Sequence, residues 1–250
     1  MNADIIISTL GLPDSASVNQ RVPKKLLLEN GAPTAADKRR INEGVEEIQW
    51  LASLKPNTIG VPDYCDDIRE YLEIALLSVT LRGDAKAARL SELIHRAIPY
   101  PLFLVLVQGD QAIISLAHKR RAQNEAGKFV LDGDIFEVTV TDNTTENSPF
   151  LAALALGNQP RANLLQLYHG WIDALVALQA SQITGSFSKA ATHEAAIAQR
   201  EAVLKCRELE TKIATLRNTA TKEKQIARRV ELNSDIKCFE AELADVTKML

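Results

Sequence analysis

The 250-residue chain predicts an α+β fold: a small, mostly antiparallel sheet domain followed by an all-α region. Three observations carry that expectation. The stretch "LFLVLVQGDQAIISLAHKR" holds two apolar runs parted by Gly109-Asp110, and "KFVLDGDIFEVTVT" repeats the device around Asp132-Gly133, so both read as hairpins. Ahead of them, "REYLEIALLSVTLR" suits a buried strand, and the amphipathic "KAARLSELIHRA" supplies a crossover helix that ends before Pro99. Beyond Gly185 the chain has neither Gly nor Pro, and its apolar residues step by fours and threes.

The elements follow in order. Thr34 after Pro33, with Asp37 three residues on, is close to a capping box and starts a helix. Ile41, Val45, Ile48 and Ala52 recur as one helical face, which extends that helix until Lys55-Pro56 stops it. "DNTTENSPF", residues 142–150, is polar and turn-forming, a linker. "SPFLAALALGNQP" is a short helix ended by Gly157. "RANLLQLYHGWIDALVALQAS" is a second, carrying Leu164, Tyr168, Trp171, Leu175 and Leu178 on one face. The division expected is 1–147 for the α+β domain, 148–185 for a helical connector and 186–250 for a coiled-coil helical hairpin.

Within that last segment Ala202, Cys206, Leu209, Ile213 and Leu216 form one seam, and Leu232, Ile236, Phe239, Leu243, Val246 and Leu250 form another. The seams are out of phase, which allows either one long helix with a discontinuity or two helices folded back on each other. The hairpin is favoured, with its turn near Arg217–Thr221, because Leu209 then approaches Leu232, Ala202 approaches Phe239, and both seams find partners in one chain. A homo-oligomer through the same coiled coil is compatible with the pattern.

Bulk properties exclude several classes. The residues are 46% hydrophobic and 24% charged, an ordinary globular balance, and the net charge of −3 rules out a globally basic nucleic-acid binder. Three cysteines without a CxxC spacing argue against a disulfide framework or a thiolate zinc site and point to a reducing compartment. No apolar run is long enough to span a bilayer, and Ile5-Ile6-Ile7 is too short for a signal peptide, so a cytoplasmic location is expected, with no membrane partner.

Local charge is more informative. "KEKQIARR" interrupts the apolar pattern at the expected hairpin tip, where Arg217, Lys222, Lys224, Arg228 and Arg229 gather against only Glu223. A solvated basic tip can grip phosphates by releasing counterions, although a merely soluble helix surface has the same composition. "RVPKK" supplies Arg21, Lys24 and Lys25, "DKRR" adds Lys38, Arg39 and Arg40, and "AHKRR" supplies Lys119, Arg120 and Arg121 at a strand end. Convergence of two such clusters would strengthen a nucleic-acid reading. No cofactor is implied: there is no Gly-rich phosphate loop, no GxSxG, and no histidine pair at ligand spacing. An acidic run, Asp63, Asp66, Asp67, Glu70 and Glu73, has the oxygen chemistry for a divalent metal. Glu73 is followed by Ile74-Ala75 rather than the Glu-x-Lys of common restriction nucleases, which counts heavily against a metal-dependent nuclease.

"RVPKK", "GVEEIQWLASLKPNTIGVP", "HRAIPYPLFLVL" and "KEKQIARRVELN" with "DIKCFEAEL" together resemble the bacterial domain-of-unknown-function 4391 family over most of the chain. Members are typically encoded beside helicases and DNA methyltransferases resembling type III restriction systems. The resemblance therefore implies a role in anti-phage defence or DNA handling, with a helicase or methyltransferase as protein partner. It supplies no catalytic residues to carry over. The function expected is a non-catalytic accessory protein that binds a partner and touches DNA; a nuclease using Asp66–Glu73 with Lys119 is the alternative.

Overall fold

The computed structural model describes residues 2–123, 125, 127–140 and 149–250, in two compact units, Met1–Leu175 and Val176–Leu250. The linker expected at 142–150 falls outside the described residues up to 148. The first unit opens with α1 (Asn2–Thr9), β1 (Ser17–Arg21), α2 (Lys24–Asn30), α3 (Ala35–Gly44) and β2 (Val45–Leu54). The short α4 (Pro56–Ile59) and the small ribbon of β3 (Tyr64–Cys65) with β4 (Glu70–Tyr71) lead to β5 (Ile74–Leu81), α5 (Ala87–Ala97) and β6 (Leu102–Gln108). β7 (Gln111–Arg121), β8 (Phe129–Val140), α6 (Pro149–Leu154) and the start of α7 (Leu164–Thr184) complete it.

The main sheet has the order β1-β2-β5-β6-β7-β8. Only β5 and β6 pair in parallel, bridged by α5; the other neighbours are antiparallel, as hairpin-rich sequence dictates. One face carries α2, α3 and α5, whose Leu27, Ile41, Leu90 and Leu93 bury against Ile48, Val79, Leu104 and Leu106. On the other face Phe103 of β6 meets Trp171 of α7 edge-on at 5.0 Å.

Thr34 caps α3 as expected, accepting the Asp37 N–H at 3.1 Å. The helix nevertheless ends at Gly44, and the residues expected to continue it form β2. The β2–β5 ladder has two register shifts, which separate these positions between the two faces of the strand. A bulge between Val45 and Glu47 makes the three-residue step to Ile48 stay on one face, opposite Leu81 and Val79. A second between Trp50 and Ala52 sends Ala52 to the opposite face, against Leu76. The helix-like step from Val45 to Ile48 thus comes from the first bulge, whereas Ala52 is buried on the other face of the sheet.

Asp132-Gly133 is likewise not a turn: β8 runs through it, and β7 returns into β8 over 122–128 instead. Ala117 pairs with Ile135 and Lys119 with Leu131, so Asp132, Gly133 and Asp134 stand opposite His118 alone, and Gly133 sits at φ +84°. The Gly109-Asp110 hairpin forms as expected, with Gly109 at φ +58°.

Gly31 marks a close approach: a Cβ there would lie 2.5 Å from the Leu93 carbonyl oxygen and 2.6 Å from the Ala97 Cβ. Backbone on α5 cannot yield locally, so Gly31→Ala must push α2 off α5. A loss of about 1–3 kcal/mol is expected in urea unfolding; an unchanged midpoint would show that the two helices separate without cost.

The second unit holds the end of α7, then α8 (His193–Lys222) and α9 (Ile226–Thr247). Thr192 caps α8 by accepting the Ala195 N–H at 3.2 Å. The chain breaks between the two helices at 223–225, one turn later than the Arg217–Thr221 expected from side-chain type. Ala220 therefore remains helical and packs with Ile213, Leu232 and Ile236, flanked by Leu216, Phe239 and Leu243. Lys205–Glu242 at 2.9 Å and Arg217–Glu240 at 2.6 Å bridge the two helices; Arg217, expected in the tip cluster, is therefore taken up by a carboxylate of α9.

Candidate functional site

The basic clusters separate by what their side chains touch. Lys24, the first residue of α2, donates its amine to the Val45 carbonyl, and Arg82 donates Nη1 to the Glu43 carbonyl at 3.1 Å. These carbonyls close the C-terminal end of α3, where cations offset the negative pole of the helix. Burial, then the neighbouring Arg82 and Arg21 charges, hold the Lys24 amine below its usual pKa. Arg21 faces Glu47 at 3.6 Å, and Lys25 faces Glu29 at 3.5 Å, both on the surface. In "DKRR", Arg39 pairs with Glu43 at 2.8 Å and Arg40 with Asp37 at 3.1 Å, while Lys38 is exposed. The Asp37 carboxylate, buried and gripped by Arg89, Thr34 and Arg40, is pulled down to about 2.

Lys119 is not a surface cation at all. Period-two alternation along β7 places it on the α5 side, only 2% exposed, with Nζ donating to the His95 carbonyl at 2.6 Å and to the Ile98 carbonyl. It closes the C-terminal end of α5 as Lys24 closes that of α3. Burial pushes its pKa down to about 7. Beside it Ser91, Ser115 and His95 form a buried chain, with Oγ–Oγ 2.7 Å and Ser115 Oγ to His95 Nε2 3.0 Å. Burial, reinforced by Lys119, brings the His95 imidazole down to about 3, so it is neutral.

Arg120 and Arg121 emerge at the end of β7 among carboxylates. Arg121 binds Glu70 at 2.7 Å and the Cys65 sulfur at 3.1 Å; Arg120 stands 3.8 Å from Asp132, which Arg69 also holds at 2.6 Å. Asp66 caps its own turn, accepting from the Tyr64 hydroxyl at 2.7 Å and the Ile68 N–H at 2.8 Å; Tyr64 first, then these amides, lower its pKa. Asp63 and Asp67 are exposed. Glu73 is buried, taking the Ser53 hydroxyl at 2.6 Å and Lys55 at 3.1 Å. Glu70, Glu73 and Lys119 are thus engaged by three different sets of partners rather than gathered in one cleft. Among the described residues, no group of three or more His, Cys, Asp or Glu is arranged to hold a metal ion.

The far end of α8 and start of α9 differ from all of these. Lys222, Lys224 and Arg229 are exposed and form no ion pair among the described residues. Arg228 meets Glu231 at 2.7 Å, but both side chains are about 60% exposed, where such a pair contributes little. Between the cations stand Ile226, 72% exposed, and Val230, 62% exposed, which charge alone did not single out. The available signal was that Ile226 falls outside both heptad seams. Nearby, Thr215, Asn218, Thr219 and Lys222 line a shallow concavity of about 370 Å³.

A mostly antiparallel sheet unit with helices on its faces, followed by two long helices with a cationic and apolar end, defines a mixed α/β protein. The chain belongs to the domain of unknown function family DUF4391, whose model matches residues 10–243. Comparison with curated proteins and with solved structures gives no match. No helix among the described residues is long and apolar enough to cross a membrane.

Proposed function

We propose that this chain is a non-catalytic accessory protein whose sheet unit is a scaffold and whose α8–α9 end engages a protein partner. The family resemblance favours a helicase or methyltransferase of a DNA-handling or anti-phage defence system as that partner, with DNA phosphates as a second contact. One observation carries the reading: Lys222, Lys224 and Arg229, exposed and without an ion pair among the described residues, flank exposed Ile226 and Val230. Every other basic cluster is occupied at least in part by helix ends or carboxylates. A surface that is cationic and apolar together suits a partner with an acidic rim around an apolar patch.

Lys222→Glu with Lys224→Glu tests it. Circular dichroism is expected to be unchanged, because both side chains are solvated. Co-purification with a co-expressed helicase or methyltransferase is expected to weaken by roughly tenfold, and retention on duplex DNA at low salt to fall. Undiminished association in both assays would remove the tip from the function.

A further inference from the structure

The first turn of hydrogen bonding in the β7–β8 ladder fixes which way the start of β8 points its backbone. Ala122 donates its N–H to the Lys128 carbonyl at 2.8 Å, so Lys128 turns that carbonyl toward β7. Arg121, directly opposite Phe129, sends its own N–H the other way, to the Ile68 carbonyl at 2.8 Å. Phe129, and Leu131 opposite Lys119, therefore occupy the non-hydrogen-bonded positions of the ladder. Their N–H and C=O groups point out of the sheet, and among the described residues no further strand lies beyond β8 and no bond reaches them. Directly opposed residues share a face, so both side chains lie on the α5 side with Lys119. A cavity of about 460 Å³ opens at that place, between Ala32 and Pro33 after α2, Arg96 of α5, and half-buried Phe129 and Leu131.

We propose that this rim captures an extended segment of a partner protein, which adds to β8 as a short strand and lays apolar side chains at alternate positions into the cavity. The backbone argues for a peptide: a small apolar ligand leaves the outward groups of Phe129 and Leu131 unanswered, and a helix has its own amides already bonded. Charge does not choose the occupant. Arg96 faces Glu92 at 2.7 Å, Lys128 faces Glu125 at 2.5 Å, and Glu29 faces Lys25 at 3.5 Å. The unmatched residues at Asp132–Asp134 end the template on one side and the 122–128 connection on the other. The added strand is accordingly short and its capture reversible.

The test titrates the isotope-labelled full chain with a peptide alternating valine and serine between lysine ends. Hydrogen exchange at the Phe129 and Leu131 amides is expected to slow by at least roughly tenfold. The same peptide N-methylated at its valines keeps every side chain but loses the donors that meet the rim, and should bind at least roughly tenfold more weakly. Phe129→Pro deletes an outward N–H at the first residue of the strand, where the ladder does not use it, and should weaken binding with the circular dichroism preserved. Lys222→Glu with Lys224→Glu should take up the peptide as the wild type does, which separates this rim from the α8–α9 end. Equal binding of the methylated and unmethylated peptides overturns strand addition, because the cavity is then taking side chains alone. Outward amides that stay unprotected at millimolar peptide overturn it too. Protection that grows with protein concentration and needs no peptide gives the rim to a second copy and overturns capture of a partner.

Discussion

Lys119→Met is expected to change the pH dependence of stability more than any surface substitution. In the folded chain burial lowers the Lys119 pKa from 10.5 to about 7, so between those values the unfolded state holds a proton that the folded state lacks. Stability should therefore rise as pH climbs from 7 toward 10, and stay flat below 7, where both states are protonated. Methionine fills similar volume without titrating, and it leaves the His95 and Ile98 carbonyls at the end of α5 without their donor. The stability gap between wild type and variant should widen by about 2–3 kcal/mol from pH 7 to pH 9. Urea denaturation at both pH values measures it, and the subtraction cancels the other titrating groups. A gap indifferent to pH would mean that the buried amine keeps an ordinary proton affinity.

Trp171→Ala should cost about 3–5 kcal/mol, the range for emptying a large buried aromatic site. Trp171 is fully buried, stacks edge-on with Phe103, and donates Nε1 to the Leu154 carbonyl at 2.8 Å, tying α7 to both β6 and α6. One turn earlier, Tyr168 ends the β6–β7 ladder by accepting the Ala117 N–H at 2.9 Å and donating to the Leu102 carbonyl at 2.7 Å. The variant should therefore loosen the contact of α7 with the sheet face as well as lose volume. With only Trp50 remaining, intrinsic fluorescence follows unfolding from a single half-buried site, and a midpoint shift equivalent to less than 1 kcal/mol would contradict this account.

What the sequence disclosed depended on how local the physics was. The cap at Thr34, the Gly109-Asp110 turn and the crossover helix 87–97 are each specified within a few residues, and they formed as read. The β2 strand and the β8 bulge are specified by their ladder partners. A shifted register makes alternation look like a 3.6-residue period, or makes an Asp-Gly pair look like a turn. The same holds for side chains. "HKRR" reads as one cluster, yet alternation sends His118 toward Tyr71, with Tyr71 Oη 2.6 Å from His118 Nδ1, and Lys119 toward α5. Knowing which lysine is buried required knowing which helix ended above it. The cations at 222–229 lie on exposed positions, so their burial does not hinge on such a partner element.

The excess of residues at Asp132–Asp134 has a consequence for the exposed rim of the sheet. β8 lies at the rim of the sheet and, at twelve residues rich in Phe, Val and Ile, would otherwise be a template for strand-by-strand growth. The protrusion, charged on both sides of Gly133 and pinned by Arg69, interrupts the row of amides and carbonyls that an incoming strand would have to match. Strand-by-strand stacking along this border is thereby discouraged.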